Sequence, residues 1–153
     1  MISLGIIMLK IKYKVLEYAK DLPLINYQTD GSSGMDLYSA NISNITLEPL
    51  DRMSIPTGIC MSIPLGYEAQ IRPRSGLFIK NGINANFGTI DSDYRGEICV
   101  LIINLSKINF IIARGMRIAQ IVFNKIEKID LEASVELDNT IRGEKGFGST
   151  GLN

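Results

Sequence analysis

The sequence predicts an all-β domain, a sandwich or jelly roll, and two observations carry the prediction. The first is punctuation: short β-rich runs at 45–47, 53–56, 59–63 and 67–72 are separated by Pro49, Gly58, Pro64 and Gly66, the spacing of turns between short strands. The second is the alternation of apolar and polar residues in 11–15 and 34–40, the period of half-buried strands. At 153 residues the chain fits one domain with one core.

Taken in order, residues 11–15 form an edge or surface strand, and 21–33, with Pro23, Asn26, Gly31 and two serines, form a long irregular connection. Residues 75–81 are the one stretch suited to a helical turn, with Ser75 as cap and Leu77, Phe78 and Ile79 facing inward. Residues 97–104 and 117–123 are nearly continuous apolar runs, with a further strand at 108–112 between them. Apolar residues on both faces of a strand in so small a domain suggest that one face meets another subunit. Residues after Asn139 are glycine-rich and polar, a tail that is either disordered or ordered by a ligand.

Composition narrows the chemistry. Apolar residues make up 46% and charged residues 21%, ordinary for a globular protein. Sixteen Lys plus Arg balance sixteen Asp plus Glu, so the basic footprint of a nucleic-acid binder is missing. Histidine is absent, which excludes a Ser-His-Asp triad, a HExxH zinc site and a histidine base, and leaves Asp or Glu as proton acceptor. Cys60 and Cys99 stand in separate apolar runs without a CxxC pattern and are expected to be buried, reduced thiols. The apolar opening at 1–9 is too short to span a bilayer and has no cleavage signal, so no membrane contact and a cytoplasmic location are expected. Met8 suggests that 1–9 is an N-terminal extension from an upstream start.

The stretch Gly88-Thr89-Ile90-Asp91-Ser92-Asp93-Tyr94-Arg95-Gly96 places two carboxylates, an aromatic and a base between glycines. Glycines at both ends permit positive φ, and a hairpin or sharp bend is expected. Asp91 is the candidate proton acceptor, though residue chemistry alone favours a turn-capping Asx residue. Tyr94 is a packed strand aromatic by default, and Asp36, between Met35 and Leu37, a solvated strand carboxylate. Arg74-Ser75-Gly76 offers a guanidinium, a hydroxyl and backbone N–H groups, an anion cradle or simply a helix cap. Gln120 interrupts a buried strand and must find hydrogen-bond partners.

Five stretches in chain order resemble the motif set of the trimeric dUTPases over residues 10–151. They are Ser33-Gly34-Met35-Asp36-Leu37-Tyr38-Ser39-Ala40, Pro73-Arg74-Ser75-Gly76-Leu77, the stretch from Gly88 to Glu97, Gly115-Met116-Arg117-Ile118-Ala119-Gln120-Ile121-Val122-Phe123, and 142–151. The resemblance implies a distorted β-barrel or jelly roll of the β-clip kind over 10–139, assembled as a homotrimer, and a C-terminal lid over 140–153. It implies hydrolysis of dUTP to dUMP and pyrophosphate, with Asp91 orienting the attacking water and Tyr94 forming a platform beneath the deoxyribose that excludes a 2′-hydroxyl.

By the same resemblance Asp36 accepts hydrogen bonds from waters on Mg2+, which arrives with the nucleotide, and Arg74, Ser75 and Gly76 face the phosphates. Gln120 positions phosphate and water, and Arg117 either supports the structure or contacts phosphate. Asp93 and Arg95 brace the bend. The hairpin at 83–88, with Asn84 or Asn86 (Asn86 favoured), selects uracil together with Gly88, Thr89 and Ile90. Arg142 meets the γ-phosphate, Phe147 stacks on the base, and Gly148, Ser149 and Thr150 donate hydrogen bonds. Lys145 stands where the family usually has glycine. Each site is expected to draw motifs from three chains, so a monomer should be inactive. Two other readings are a dCTP deaminase, whose catalytic Glu arrangement is not found, and a non-catalytic nucleotide-binding trimer.

Overall fold

Isoleucine, valine and leucine supply most of the core, and β-branched side chains pack well on pleated surfaces. In the computed structural model, which describes residues 9–144 and 146, they fill the space between antiparallel sheets. The strands are β1 (Lys12–Val15), β2 (Met35–Tyr38), β3 (Ile45–Leu47), β4 (Arg52–Ser62), β5 (Tyr67–Arg72), β6 (Ile83–Ala85), β7 (Gly88–Ile90), β8 (Glu97–Asn104), β9 (Phe110–Ile112) and β10 (Arg117–Lys125), with one helix, α1 (Ser75–Asn81). One sheet runs β1-β4-β8-β6, a second β2-β10-β5-β7, and β3 and β9 form a third. Leu37, Ile55, Ile98, Val100, Ile102, Ile118 and Ile121 are fully buried between them. Burying each such side chain stabilises the fold by roughly 1.5–3 kcal/mol. The result is the all-β distorted barrel that the sequence predicts.

Several local expectations are corrected. The runs at 53–56 and 59–63 belong to one strand, β4, which passes through Gly58 with a register shift between Pro56 and Cys60. Gly58 absorbs this bulge with φ 70°, and a Cβ there would lie 2.1 Å from that of Ala19, so only glycine fits. The cap of α1 is Arg74, not Ser75, with extended φ and ψ and no side-chain cap bond. Phe78 and Ile79 point outward, 47% and 81% exposed, and only Leu77 packs against the core. Consecutive helical residues point about 100° apart, so three in a row do not share one face.

Residues 83–88 form no single hairpin, because β6 pairs with β8 and β7 with β5, and the chain changes sheets at Asn86 and Phe87. Both cysteines are free but half-buried rather than buried. β8 alternates, burying Ile98, Val100, Ile102 and Asn104 and turning Leu101 outward, 52% exposed. Residues 126–144 carry no strand or helix, and Ile129, Leu131, Val135 and Leu137 are exposed. No helix among the described residues is long and apolar enough to cross a membrane.

Candidate active site

Register brings distant motifs together. On β10, Gln120 is paired with Asp36 of β2 on one side and with Arg72 of β5 on the other, so two residues beyond Arg72 the chain delivers Arg74, Ser75 and Gly76 to the same place. The cleft there, of about 310 Å3, is lined by Gln28, Ser32, Ser33, Gly34, Asp36, Arg74, Ser75, Gly76 and Gln120. The Asp36 side chain is only 12% exposed and bridges Arg74, Nε to Oδ1 at 3.0 Å, and Arg117, Nη1 to Oδ2 at 3.3 Å. It is therefore a paired rather than a solvated carboxylate. Arg74 Nη1 also donates to the Arg117 carbonyl at 3.1 Å, and Gln120 Nε2 to the Pro73 carbonyl at 3.1 Å. A Cβ at Gly34 would stand 2.8 Å from Gln120 Oε1 and 3.2 Å from the Ile121 carbonyl oxygen, so a larger residue there would push the Gln120 side chain aside.

A second cleft of about 330 Å3 opens where β7 and β8 diverge into different sheets, lined by Ile71, Asn86, Gly88, Thr89, Ile90, Asp91, Tyr94, Glu97, Ile98, Cys99 and Leu101. Gly88 and Gly96 are not among the positive-φ glycines. At Gly96 the reason is space, since a Cβ there would lie 2.4 Å from Tyr94 Oη, whereas one on Gly88 would make ordinary contact with Ile71 Cγ1 at 3.4 Å. The bend closes by Tyr94 N donating to the Asp91 carbonyl at 3.2 Å, and Arg95 Nη1 braces it by donating to the carbonyls of Ser92 at 2.7 Å and Tyr94 at 2.8 Å. Tyr94 Oη donates to the Glu97 carbonyl at 2.9 Å. Asn86 N donates to the Leu101 carbonyl at 2.8 Å and, with Asn84 outside the lining set, Asn86 is the asparagine in this cleft.

The two clefts share no lining residue in one chain. Cys99 sits in the second, its thiol pushed up by burial first and by the neighbouring Glu97 second. Arg142 lies on the exposed segment after β10, at a turn where Gly143 N donates to the Thr140 carbonyl at 3.1 Å. Lys145, Phe147, Gly148, Ser149 and Thr150 lie outside the described residues. Sequence reasoning missed Gln28, Ser32, Tyr18 and the Glu97 side chain. The first two precede the first motif, and nothing at 18 announces a contact with a residue 79 positions away.

Metal chemistry is constrained by the donors present. Among the described residues no three Asp, Glu, Cys or His side chains gather to hold a metal ion, and Asp36 is the carboxylate of the first cleft. One carboxylate beside arginines does not make a resident cage, but it suits a hydrated Mg2+ carried by phosphate oxygens.

An all-β barrel with an arginine-lined polar cleft and a separate, mostly apolar cleft bearing a carboxylate and an aromatic has the layout of a nucleotide-binding protein. The family model described as dUTPase matches residues 20–151, and the chain belongs to the dUTPase family. It is 53% identical over 146 residues to the deoxyuridine 5′-triphosphate nucleotidohydrolase of Rickettsia rickettsii, covering 94% of this chain and 97% of that relative. It is 50% identical over 147 residues to the enzyme of the same name from Fusobacterium nucleatum, covering 94% and 99%. A dUTPase mutant of Staphylococcus bacteriophage 80alpha, solved with dUpNHpp, superposes with TM-score 0.85 at 27% identity, covering 94% of this chain and 99% of that one.

Proposed function

We propose that this protein is a dUTP diphosphatase that converts dUTP and water to dUMP and pyrophosphate, lowering dUTP available to DNA synthesis and supplying dUMP for dTTP. The observation that carries the reading is the sorting of the family motifs by chemistry. Arg74, Ser75 and Gln120, with Asp36 paired to Arg74, line one cleft, and Asp91 and Tyr94 line the other. A triphosphate suits the first and a deoxynucleoside the second.

In this reading Asp91 takes the proton of the water that attacks the α-phosphorus, since the chain has no histidine to do so. Tyr94 lies under the deoxyribose. Asn86, Gly88, Thr89 and Ile90 line the uracil side, and Arg74, Ser75, Gly76 and Gln120 hold the phosphates against charge developing on their oxygens. Asp36 fixes the arginines and orients waters on Mg2+. When bound, Mg2+ neutralises phosphate charge.

Because one chain keeps the two clefts apart, a complete site joins the first cleft of one subunit to the second cleft of another in a homotrimer. The outward apolar face of β8, with Leu101 52% exposed, is suited to burial there. Residues 140–153 act as a lid that brings Arg142, Phe147, Gly148, Ser149 and Thr150 from a third chain. The test is stoichiometric production of dUMP and pyrophosphate from dUTP by the purified protein with Mg2+, together with the mass of the assembly in solution. A fully active monomer would contradict the shared site.

A further inference from the structure

Tyr94 lies in a glycine-flanked bend and is 44% exposed, so its ring needs an external brace if it is to stand at one depth in the cleft. That brace is the first residue of β8. Tyr94 Oη donates to the Glu97 carbonyl at 2.9 Å, while the ring packs against Gly96, where a Cβ would be 2.4 Å from its oxygen. The position of the Glu97 backbone therefore sets the position of the ring.

The ladder is interrupted beside Glu97, which pairs with Cys60 while the register shifts between Cys60 and Pro56. Its side chain adds ties across the break. Glu97 Oε1 accepts from Gly58 N at 2.7 Å, a donor that the bulge leaves without a strand partner, and from the Tyr18 hydroxyl. Tyr18 belongs to the 3-10 turn Glu17–Ala19, which packs against Gly58 through Ala19. Arg114 fastens that turn, donating from Nη2 to the Tyr18 carbonyl at 2.5 Å and pairing with Asp21 Oδ1 at 2.6 Å. Burial, then the Glu97 hydrogen bond, push the Tyr18 phenol well above its usual range.

We propose that Tyr18 and Glu97 are positioning residues for sugar selection: they fix the start of β8, hence the height of the Tyr94 ring, and so set rejection of nucleotides bearing a 2′-hydroxyl. The proposal rests on the placement of the deoxyribose over Tyr94 given above. A loosened ring has room to yield to the extra hydroxyl, and selectivity falls before the barrel does.

The experiment compares wild type with Tyr18→Phe, Glu97→Ala and Glu97→Gln. It measures kcat and KM for dUTP and UTP, dissociation constants for dUMP and UMP by calorimetry, and Tm. Tyr18→Phe and Glu97→Ala are expected to lower the dUTP-over-UTP ratio of kcat/KM at least about tenfold, with the dUMP-over-UMP binding ratio falling in parallel. Glu97→Gln keeps the acceptor and is expected to restore most of both ratios. Unchanged ratios in Tyr18→Phe and Glu97→Ala, with only Tm lowered, would overturn the proposal and leave the pair a structural tie. If wild type hydrolyses no nucleotide, the diphosphatase reading fails by itself. The binding ratios then decide for the positioning pair if Tyr18→Phe loses the preference for dUMP, and against it if the preference persists or wild type shows none.

Discussion

Asp36 holds two arginines at once, Arg74 Nε at 3.0 Å from one carboxylate oxygen and Arg117 Nη1 at 3.3 Å from the other. Of the two, Arg74 lines the polar cleft and Arg117 does not. In the proposed reading the carboxylate aims one guanidinium at the phosphates and uses the other as support, which favours the supporting role for Arg117.

Removing the charge at Asp36 leaves two guanidiniums facing each other at a site where only 12% of the carboxylate side chain is exposed. Asp36→Asn is expected to lower kcat/KM for dUTP by about 10- to 100-fold and to raise the Mg2+ concentration needed for half-maximal rate. Arg74→Ala should weaken kcat/KM more than Arg117→Ala. Steady-state kinetics over a Mg2+ series check all three, and a larger loss from Arg117→Ala would reverse the assignment.

Asp91→Asn is isosteric and keeps the carbonyl that accepts from Tyr94 N. Turnover is expected to fall by roughly 10² to 10⁴ fold while dUMP binding persists. Calorimetry beside the rate assay distinguishes loss of a base from a turn-capping role, because Asn caps an Asx turn as Asp does and a purely capping Asp91 would leave turnover as well as binding unchanged.

A chain ending before Arg142 removes residues beyond β10 of which the described ones, 142–144 and 146, make no part of the buried core. Such a truncation should abolish turnover and leave the thermal transition of the barrel within a few degrees of wild type. An unaffected rate would remove the lid from the mechanism.

The tie between Arg114 and Asp21 gives a pH signature. Hydrogen bonding from Arg114 holds the Asp21 carboxyl below its usual range. A depressed folded value means that its contribution is present above the unfolded value near 3.8 and is lost as pH falls through the lower folded value. Tm measured from pH 6 down to about 2.5 should fall less steeply in Asp21→Asn than in wild type through that acid window, with the two curves parallel above about pH 5. Parallel curves throughout would show that the tie adds no proton-linked stability.

Much of this architecture is legible from local chemistry. The alternation at 34–40, the run at 45–47 and that at 67–72 become β2, β3 and β5, because a period of two is a direct consequence of a strand with one buried face. Gly58 reads as a boundary but lies inside β4, since a glycine at a bulge and a glycine at a turn are alike in sequence and differ only in what packs on them, here Ala19. Phe78 and Ile79 look like core residues and face outward, as hydrophobicity gives no direction in a helix of two turns. The site follows the same division. Asp36, Arg74 and Gln120 carry their own motif signals, and cross-strand register gathers them. Tyr18 carries none, and Glu97 closes the third motif without announcing its partner, because their contact is made by tertiary packing beside a bulge.

The central claim is tested most directly by incubating the purified, assembled protein with Mg2+ and each deoxynucleoside triphosphate in turn, and with UTP, and then quantifying nucleoside monophosphate, pyrophosphate and deaminated product. The account predicts dUMP and pyrophosphate in equal amounts from dUTP, with other nucleotides at least about 100-fold less efficient. Pyrophosphate from none of them, or dUTP emerging from dCTP, would contradict it.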